Sequence, residues 1–285
     1  MLILWLVSVG VVALTLGLGL GLGLSRRTGA GNETFEPPAS LLSHLDWVDL
    51  TYSYNDSTIY WPTSPSTFEL DVLAFGNTEN GYFYSSNRIC TPEHGGTHMD
   101  APIHFAEQGW TVDEIPLDKL HGPGIVIDIT AQAALDPDYR LTLDDVLAFE
   151  ATHGEIPPGT MLFLRTGWGS KYNNVKEYLG DTTPGEASNL HFPSYGEEAA
   201  RYLVDTRQVQ VLGTDTASID YGPSTDFIVH QIANGANVPG LENVANLDRL
   251  PSDGFYVIGL PMKIGGGSGG PIRLVALRSL APSLR

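Results

Sequence analysis

Within eleven residues this chain places His94, His98, Asp100 and His104, in the run Glu93-His94-Gly95-Gly96-Thr97-His98-Met99-Asp100-Ala101-Pro102-Ile103-His104-Phe105. The four positions share one parity, so an extended segment predicts all four side chains on one side. A helix aligns His94 with His98 but turns Asp100 away, and Gly95, Gly96 and Pro102 oppose an uninterrupted helix. Imidazole and carboxylate without thiolate suit zinc or manganese better than a structural cysteine site. A catalytic ion also needs a coordination position left open for water, which three local ligands plus a distant fourth or fifth provide. A single histidine in a loop or core is ordinary, but here three of the eight in the chain fall in one short stretch.

The elements around this stretch read as short strands and a few helices. Phe68–Phe75 and Gly81–Ile89 predict strands leading into it, after the aromatic pair Tyr60-Trp61 stopped by Pro62. Trp61 is either a rim aromatic or a flat wall for an aromatic ligand. Gly124–Thr130 and Thr160–Thr166 are apolar, partly β-branched runs expected as buried strands, and Val209–Leu212 is a third. Leu143–Glu150 has helical spacing with Thr142 as its N-cap. Residues 170–194 read as an irregular surface excursion, and Tyr195–Asp205 as a helix. The polar run Gly213–Asp220 follows a strand directly; it reads as a turn with local side-chain bonds or as support for metal ligands. Asp226–Ala233 predicts a short helix carrying His230, and an extended piece after Pro239 carries Glu242. Phe255–Leu260 and Ile272–Leu277 close the chain as strands. The glycines between them form a loop near the site, without the following helix a dinucleotide fingerprint needs. The pattern indicates an α/β or α+β domain, and no internal repeat is visible.

The run His94-Gly-Gly-Thr-His98-Met-Asp100-Ala-Pro-Ile-His104 resembles the signature of the metal-dependent cyclase family, which includes bacterial-type kynurenine formamidases and isatin hydrolases. The resemblance extends from about Asp49 to Ala276. It implies an α/β fold of the swivelling β/β/α kind in a single compact domain, dimeric or of higher homo-oligomeric order. Taken alone, His230 and Glu242 are an unremarkable helical histidine and a carboxylate before Asn243-Val244. The resemblance gives them a role: His94, His98 and Asp100 on one divalent ion, His230 on a second, and Asp100 and Glu242 able to bridge. His104 matches the family's proton donor and acceptor, and Trp61 a substrate-contacting tryptophan in a Trp-Pro pair. Isatin hydrolases resemble the same plan with Gln where this chain has Glu242, which tilts the expected substrate toward aryl formamides.

The expected reaction is hydrolysis of an aryl formamide C–N bond, as in N-formylkynurenine, by water whose pKa zinc or manganese, as one or two ions, lowers toward about 7. His104 handles the proton and Trp61, with Tyr60 or Trp110 as weaker candidates, stacks on the ring. An isatin-type lactam or lactone hydrolase is the enzymatic alternative, and a non-catalytic secreted metal-containing binding protein the alternative of another class. The glycine run around Ser268 lacks the following helix that a serine nucleophile elbow needs, so serine catalysis is not expected. Glu107 reads as a surface residue.

With 33 acidic and 15 basic residues the net charge is −18, which repels phosphate backbones and makes nucleic acid a poor partner. The single cysteine, Cys90, excludes an intrachain disulfide and reads as a small buried apolar residue. Residues 1–24 are apolar and Gly-rich, long enough for a signal peptide or signal anchor. Residues 25–45 read as a linker, and 46–285 as the hydrolase domain. Arg26 and Arg27 after the apolar run would, read literally, put the domain on the cytoplasmic side. Asn32-Glu33-Thr34 and Asn55-Asp56-Ser57 are glycosylation acceptors and favour the opposite side, so the expectation is a secreted or membrane-anchored domain facing the secretory lumen or outside.

Overall fold

The structure, a computed structural model, describes residues 44–279. The proposed leader, Asn32 and nearly all of the linker lie outside the described residues; Leu45 already opens the first strand. Among the described residues there are twelve strands: β1 (Leu45–Asp49), β2 (Glu69–Asn77), β3 (Phe83–Cys90), β4 (His98–Asp100), β5 (His121–Asp128), β6 (Arg140–Leu141), β7 (Met161–Arg165), β8 (Ser194–Tyr195), β9 (Val211–Thr214), β10 (Gly240–Glu242), β11 (Phe255–Pro261) and β12 (Gly269–Ser279). The helices are α1 (Thr130–Leu135), α2 (Leu143–His153), α3 (Val175–Leu179), α4 (Glu197–Arg201) and α5 (Ile228–Gly235).

The main sheet runs β1-β12-β11-β5-β7-β9-β10-β4, and β4 also pairs with β12. That extra pairing closes seven strands into a barrel-like ring, with β1 added along the second half of β12. Strands β5, β7, β9 and β10 are parallel, and the others join antiparallel. Such a mixed α/β barrel accords with the β/β/α domain expected from the sequence.

Strand β7 shows why the apolar runs fold this way. Met161 and Phe163 belong to the core cluster inside the barrel, with Met99, Val126, Val211, Leu241, Val257 and Leu274. Leu162 and Leu164 face outward under the helices, against Val146, Ala199, Leu203, Val229 and Ala233. A parallel strand covered on both faces needs a continuous apolar run, and the sequence supplies one. Helix α2 starts as expected: Asp145 N–H donates to Thr142 Oγ1 at 3.1 Å, and Thr142 N–H donates back to Asp145 Oδ2 at 2.9 Å.

Several expectations need correction. Residues 170–194 are not a surface excursion: Tyr178, Leu179, Leu190 and Phe192 are buried with Ile59, Trp168 and Tyr172 in a third apolar cluster. The irregular spacing hid this, because coil around α3 carries the apolar residues at no fixed period. The expected helix at Tyr195–Asp205 is α4 followed by a wider π turn over Tyr202–Thr206. Cys90 is exposed, at the end of a hairpin that stands off the barrel.

Candidate metal centre and active site

Only His98, Met99 and Asp100 of the His-rich segment are strand. Met99 enters the barrel core, so its two neighbours point to the outer face. The parity argument holds for that pair alone. His94 precedes the turn at Gly96 (φ +56°), where the left-handed backbone suits glycine. The Tyr54 hydroxyl fastens this turn to the carbonyls of Gly95 and Thr97 at 2.6 and 2.8 Å. His104 sits on a 3₁₀ turn, Pro102–His104, begun by the proline that follows Ala101.

Strand β10 brings Glu242 directly opposite His98, and Gly240 opposite Asp100. Leu241 goes into the core, so Glu242 shares the outer face with His98 and Asp100. Helix α5 delivers His230 to the same place. Asp220 organises that delivery: Oδ1 accepts Val229 N–H at 3.0 Å, and Oδ2 accepts His230 N–H at 3.0 Å and the ring Nδ1 at 2.7 Å.

The result is a cluster of lone pairs. His98 donates Nδ1–H to the Gly96 carbonyl at 3.0 Å, which turns Nε2 inward as the atom available to a metal ion or a proton. That Nε2 lies 3.1 Å from Asp100 Oδ1 and 3.4 Å from Glu242 Oε2. His230 Nε2 lies 3.3 Å from Asp100 Oδ2 and 3.2 Å from Glu242 Oε1. His94 Nδ1 is 2.6 Å from Asp100 Oδ1. Despite its close carboxylates, His98 Nε2 is a buried nitrogen with no hydrogen-bond partner. Orphaned buried polar atoms are rare, and a cation among these atoms satisfies this one. The donor set of His98, Asp100 and Glu242, joined by His94 and His230, fits a divalent ion.

The electrostatics agree. Burial works against charge on His98, but the Asp100 carboxylate more than offsets it and holds the imidazole at about 9. Burial likewise opposes ionisation of Asp100, yet His98, His230 and His94 around it keep it well below the usual carboxylate range. Glu242 is pushed up by burial and by the neighbouring Asp100 charge. Two carboxylates pulled apart in this way are a pair short of positive charge between them. His104 stacks on His94 with ring centroids 3.9 Å apart, and burial lowers its pKa to about 4. It is a neutral base at neutral pH.

Above the cluster lies a cavity of about 240 Å³. The metal-side residues His94, His98, His104, His230 and Glu242 line it, and Tyr60, Trp61, Phe105 and Phe227 form its walls. Trp61 is braced edge-on by Phe192 at 6.3 Å and by the tilted ring of Phe227 at 6.1 Å. Trp110 is not in the cavity; it packs half-buried against the barrel core. All seven residues singled out from the sequence, His94, His98, Asp100, His104, His230, Glu242 and Trp61, therefore meet in or beneath one pocket.

Other contributors were not individually assigned from sequence. Phe105 adjoins His104, and Phe227 sits at the start of α5. Asp220 stood within the polar run Gly213–Asp220 without being distinguished from Asp215, which has the other role. Asp215 accepts Thr166 N–H, Thr166 Oγ1–H and Gly167 N–H at 2.7–3.0 Å and fastens the end of β7. The glycine loop contributes Ser268, whose Oγ lies 2.9 Å from His94 Nε2 and 2.6 Å from Glu93 Oε2. Gly269 next to it admits no side chain, since a Cβ there would come within 2.6 Å of the Met99 carbonyl and 2.7 Å of the His94 ring.

Comparison with known proteins agrees with the geometry. Residues 48–221 match the family described as "Putative cyclase". An isatin hydrolase of Roseibium aggregatum is 36% identical over 207 residues, 70% of this chain and 76% of the relative. A kynurenine formamidase of Salinibacter ruber is 28% identical over 229 residues, 80% of this chain and 95% of the relative. Isatin hydrolase A from Labrenzia aggregata, solved with benzyl benzoate bound, superposes with a TM-score of 0.76 at 31% identity, covering 83% of this chain and 95% of that one. Fold, donor set and relatives together define an enzyme of the metal-dependent hydrolase class. The chain belongs to the cyclase family.

Proposed function

We propose that this chain hydrolyses the C–N bond of an aromatic amide, with an aryl formamide such as N-formylkynurenine as the substrate type. The observation that carries this reading is the convergence of Asp100 and Glu242 on the inward-facing Nε2 atoms of His98 and His230, at the base of an aromatic-walled cavity. His94, His98, Asp100, Glu242 and His230 would hold one or two divalent ions, zinc or manganese. Bound there, the metal supplies Lewis acidity toward the carbonyl oxygen and lowers the pKa of water.

The chain's own groups do the rest. Trp61, Phe105 and Phe227 take the flat ring and shut out bulk water. His104, kept neutral by burial, accepts a proton from the attacking water and returns it to the departing aryl nitrogen. Water adds to the carbonyl carbon, the C–N bond breaks, and the products are formate and an arylamine. A second reading, opening of an isatin-type lactam, is favoured by the 36% identity to an isatin hydrolase. Both reactions would cleave the acyl C–N bond of an aromatic amide at the same cavity, and Glu242, in place of the Gln of the isatin hydrolase pattern, supports the formamide.

The deciding experiment measures metal-loaded protein on N-formylkynurenine and on isatin, beside His104→Ala. Faster formamide turnover, reduced by roughly 10²–10⁴ in His104→Ala, is the expected result. Preference for isatin overturns the substrate, and an unimpaired His104→Ala overturns the proton relay. We also propose, from the two glycosylation acceptors, that the domain faces the secretory lumen or the outside of the cell. Asn55 of the second glycosylation acceptor is exposed on a turn, where its Oδ1 accepts Ser57 N–H at 2.7 Å. A mass shift on enzymatic deglycosylation, abolished with Asn55→Gln and Asn32→Gln combined, tests the location.

A further inference from the structure

The run Gly265-Gly266-Gly267-Ser268-Gly269-Gly270 leads from β11 into β12 and is interrupted once, by Ser268. The positions on either side of that serine exclude a side chain. A Cβ on Gly267 would come within 2.8 Å of Glu93 Oε1, and one on Gly269 within 2.7 Å of the His94 ring. The sequence thus lets the loop settle onto Glu93 and His94 and present one side chain to them. Backbone bonds already hold the loop there. Ala101 N–H donates to the Ser268 carbonyl at 2.8 Å, and Val112 N–H to the Gly267 carbonyl at 2.9 Å. Gly266 N–H donates to Asp113 Oδ1 at 2.9 Å. The Ser268 hydroxyl is left for another task.

That hydroxyl stands between two partners, with Oγ 2.6 Å from Glu93 Oε2 and 2.9 Å from His94 Nε2. It has one hydrogen, and a carboxylate only accepts, so the hydrogen goes to Glu93. The same Oε2 also accepts Ser268 N–H at 3.1 Å. The hydroxyl oxygen then accepts from His94, which puts the imidazole hydrogen on Nε2 and the lone pair on Nδ1. Nδ1 is the atom that faces Asp100 Oδ1, at 2.6 Å.

His98 and His230 are set the other way round. The Gly96 carbonyl takes Nδ1–H of the first and Asp220 takes Nδ1–H of the second, so both present Nε2 to the carboxylates. Each of the three rings therefore has an acceptor on the nitrogen turned away from Asp100, as metal-ligating histidines generally do. For His94 that acceptor is reached through a hydroxyl. Without it the hydrogen could sit on Nδ1 and be donated to Asp100 Oδ1. Such a bond would block two metal donors at once, the Nδ1 lone pair and one carboxylate oxygen.

We propose that Glu93 and Ser268 are positioning residues that hold the hydrogen of His94 on Nε2 and so offer its Nδ1 to the divalent ion, an inference that rests on the metal-dependent reading of the site. Long-range proton–nitrogen NMR of the zinc-loaded full-length protein, with isotope-labelled histidine, reads the tautomer of each ring. His94 should carry its hydrogen on Nε2, and His98 and His230 theirs on Nδ1. Ser268→Ala keeps the backbone bonds of the loop, so without metal it should melt within about 4 °C of the wild type. Its zinc affinity, measured by competition with a calibrated chelator, should nevertheless fall about 10–100-fold. Glu93→Ala frees the hydroxyl to donate to Nε2 and should weaken zinc binding in the same way. A hydrogen on His94 Nδ1 in the zinc-loaded wild type overturns the proposal, as does a Ser268→Ala protein that binds zinc as tightly as the wild type. In either case the metal-dependent reading survives, because the wild type still holds zinc. A wild type that takes up no divalent ion overturns both, so the two failures are told apart.

Discussion

Asp220 Oδ2 accepts the ring Nδ1–H of His230 at 2.7 Å while the same carboxylate accepts the first backbone N–H groups of the helix that carries it. One side chain thus fixes both where α5 begins and which nitrogen of His230 faces the carboxylates. Asp220→Asn keeps the shape but removes the charge that polarises the imidazole. Metal affinity should fall about 10–100-fold, the usual cost of losing such an outer partner. Asp220→Ala should also lower the melting temperature, because two buried N–H groups lose their acceptor. Competition with a calibrated chelator and a thermal melt check both. An Asn variant that holds metal as tightly as the wild type would remove Asp220 from this role.

The histidine-rich stretch was legible because its ligands are close in sequence, and because β4 places His98 and Asp100 on one face as alternation requires. The rest of that stretch converges by turns that parity does not describe, so residues that do meet in the structure were grouped by a partly wrong geometry. His230 and Glu242 lie over 120 residues away, and only the family resemblance pointed to them. Their convergence depends on β10 pairing with β4, a non-local contact with no local sequence signal. The same holds for Asp220 against Asp215: both follow a buried strand, and only the tertiary fold sends one to His230 and the other to Thr166. The apolar strands read well, whereas the buried coil around Tyr178 and Phe192 did not, because no period marks it.

Trp61 is held on the cavity wall by Phe192 and Phe227. In the proposed reaction it binds the ring, in the ground state and the transition state alike. Trp61→Leu should raise KM for an aromatic substrate about 3–10-fold, with kcat nearly unchanged, in keeping with about 0.5–1.5 kcal/mol for an aromatic pair. Steady-state kinetics decide the matter. A loss confined to kcat would place Trp61 in the chemistry instead.

The proton on His98 and a metal ion compete for the same Nε2 lone pair. In the metal-free protein Asp100 holds His98 at about 9, above its ordinary 6.5. A raised pKa means that the protonated imidazole stabilises the fold fully below about 6.5, and that this contribution is lost as pH climbs through 9. Metal-free protein should therefore melt at progressively lower temperature from pH 7 to pH 9.5. Metal affinity should run the opposite way, strengthening over that interval as the proton leaves. Calorimetric titration at pH 7 in two buffers of different ionisation enthalpy should show proton release on binding. Equal heats in the two buffers would contradict a protonated His98.

Glu242 distinguishes the two candidate substrates most directly. Its Oε1 accepts Ile219 N–H at 3.0 Å and faces His230 Nε2, and its Oε2 faces His98 Nε2. Burial and Asp100 both act against its charge, while His230, His98 and any cation between the carboxylates favour it. Glu242→Gln preserves the backbone bond and the shape while removing that charge. Metal content should fall from two ions toward one if the carboxylate bridges a pair. Turnover of N-formylkynurenine should drop relative to isatin by at least tenfold, since the substitution installs the residue that resembles the isatin hydrolase pattern. Metal analysis and paired rate measurements on the same preparation read both effects. An unchanged metal content together with an unchanged rate ratio would leave Glu242 a structural acceptor for Ile219 and return the choice of substrate to the walls of the cavity.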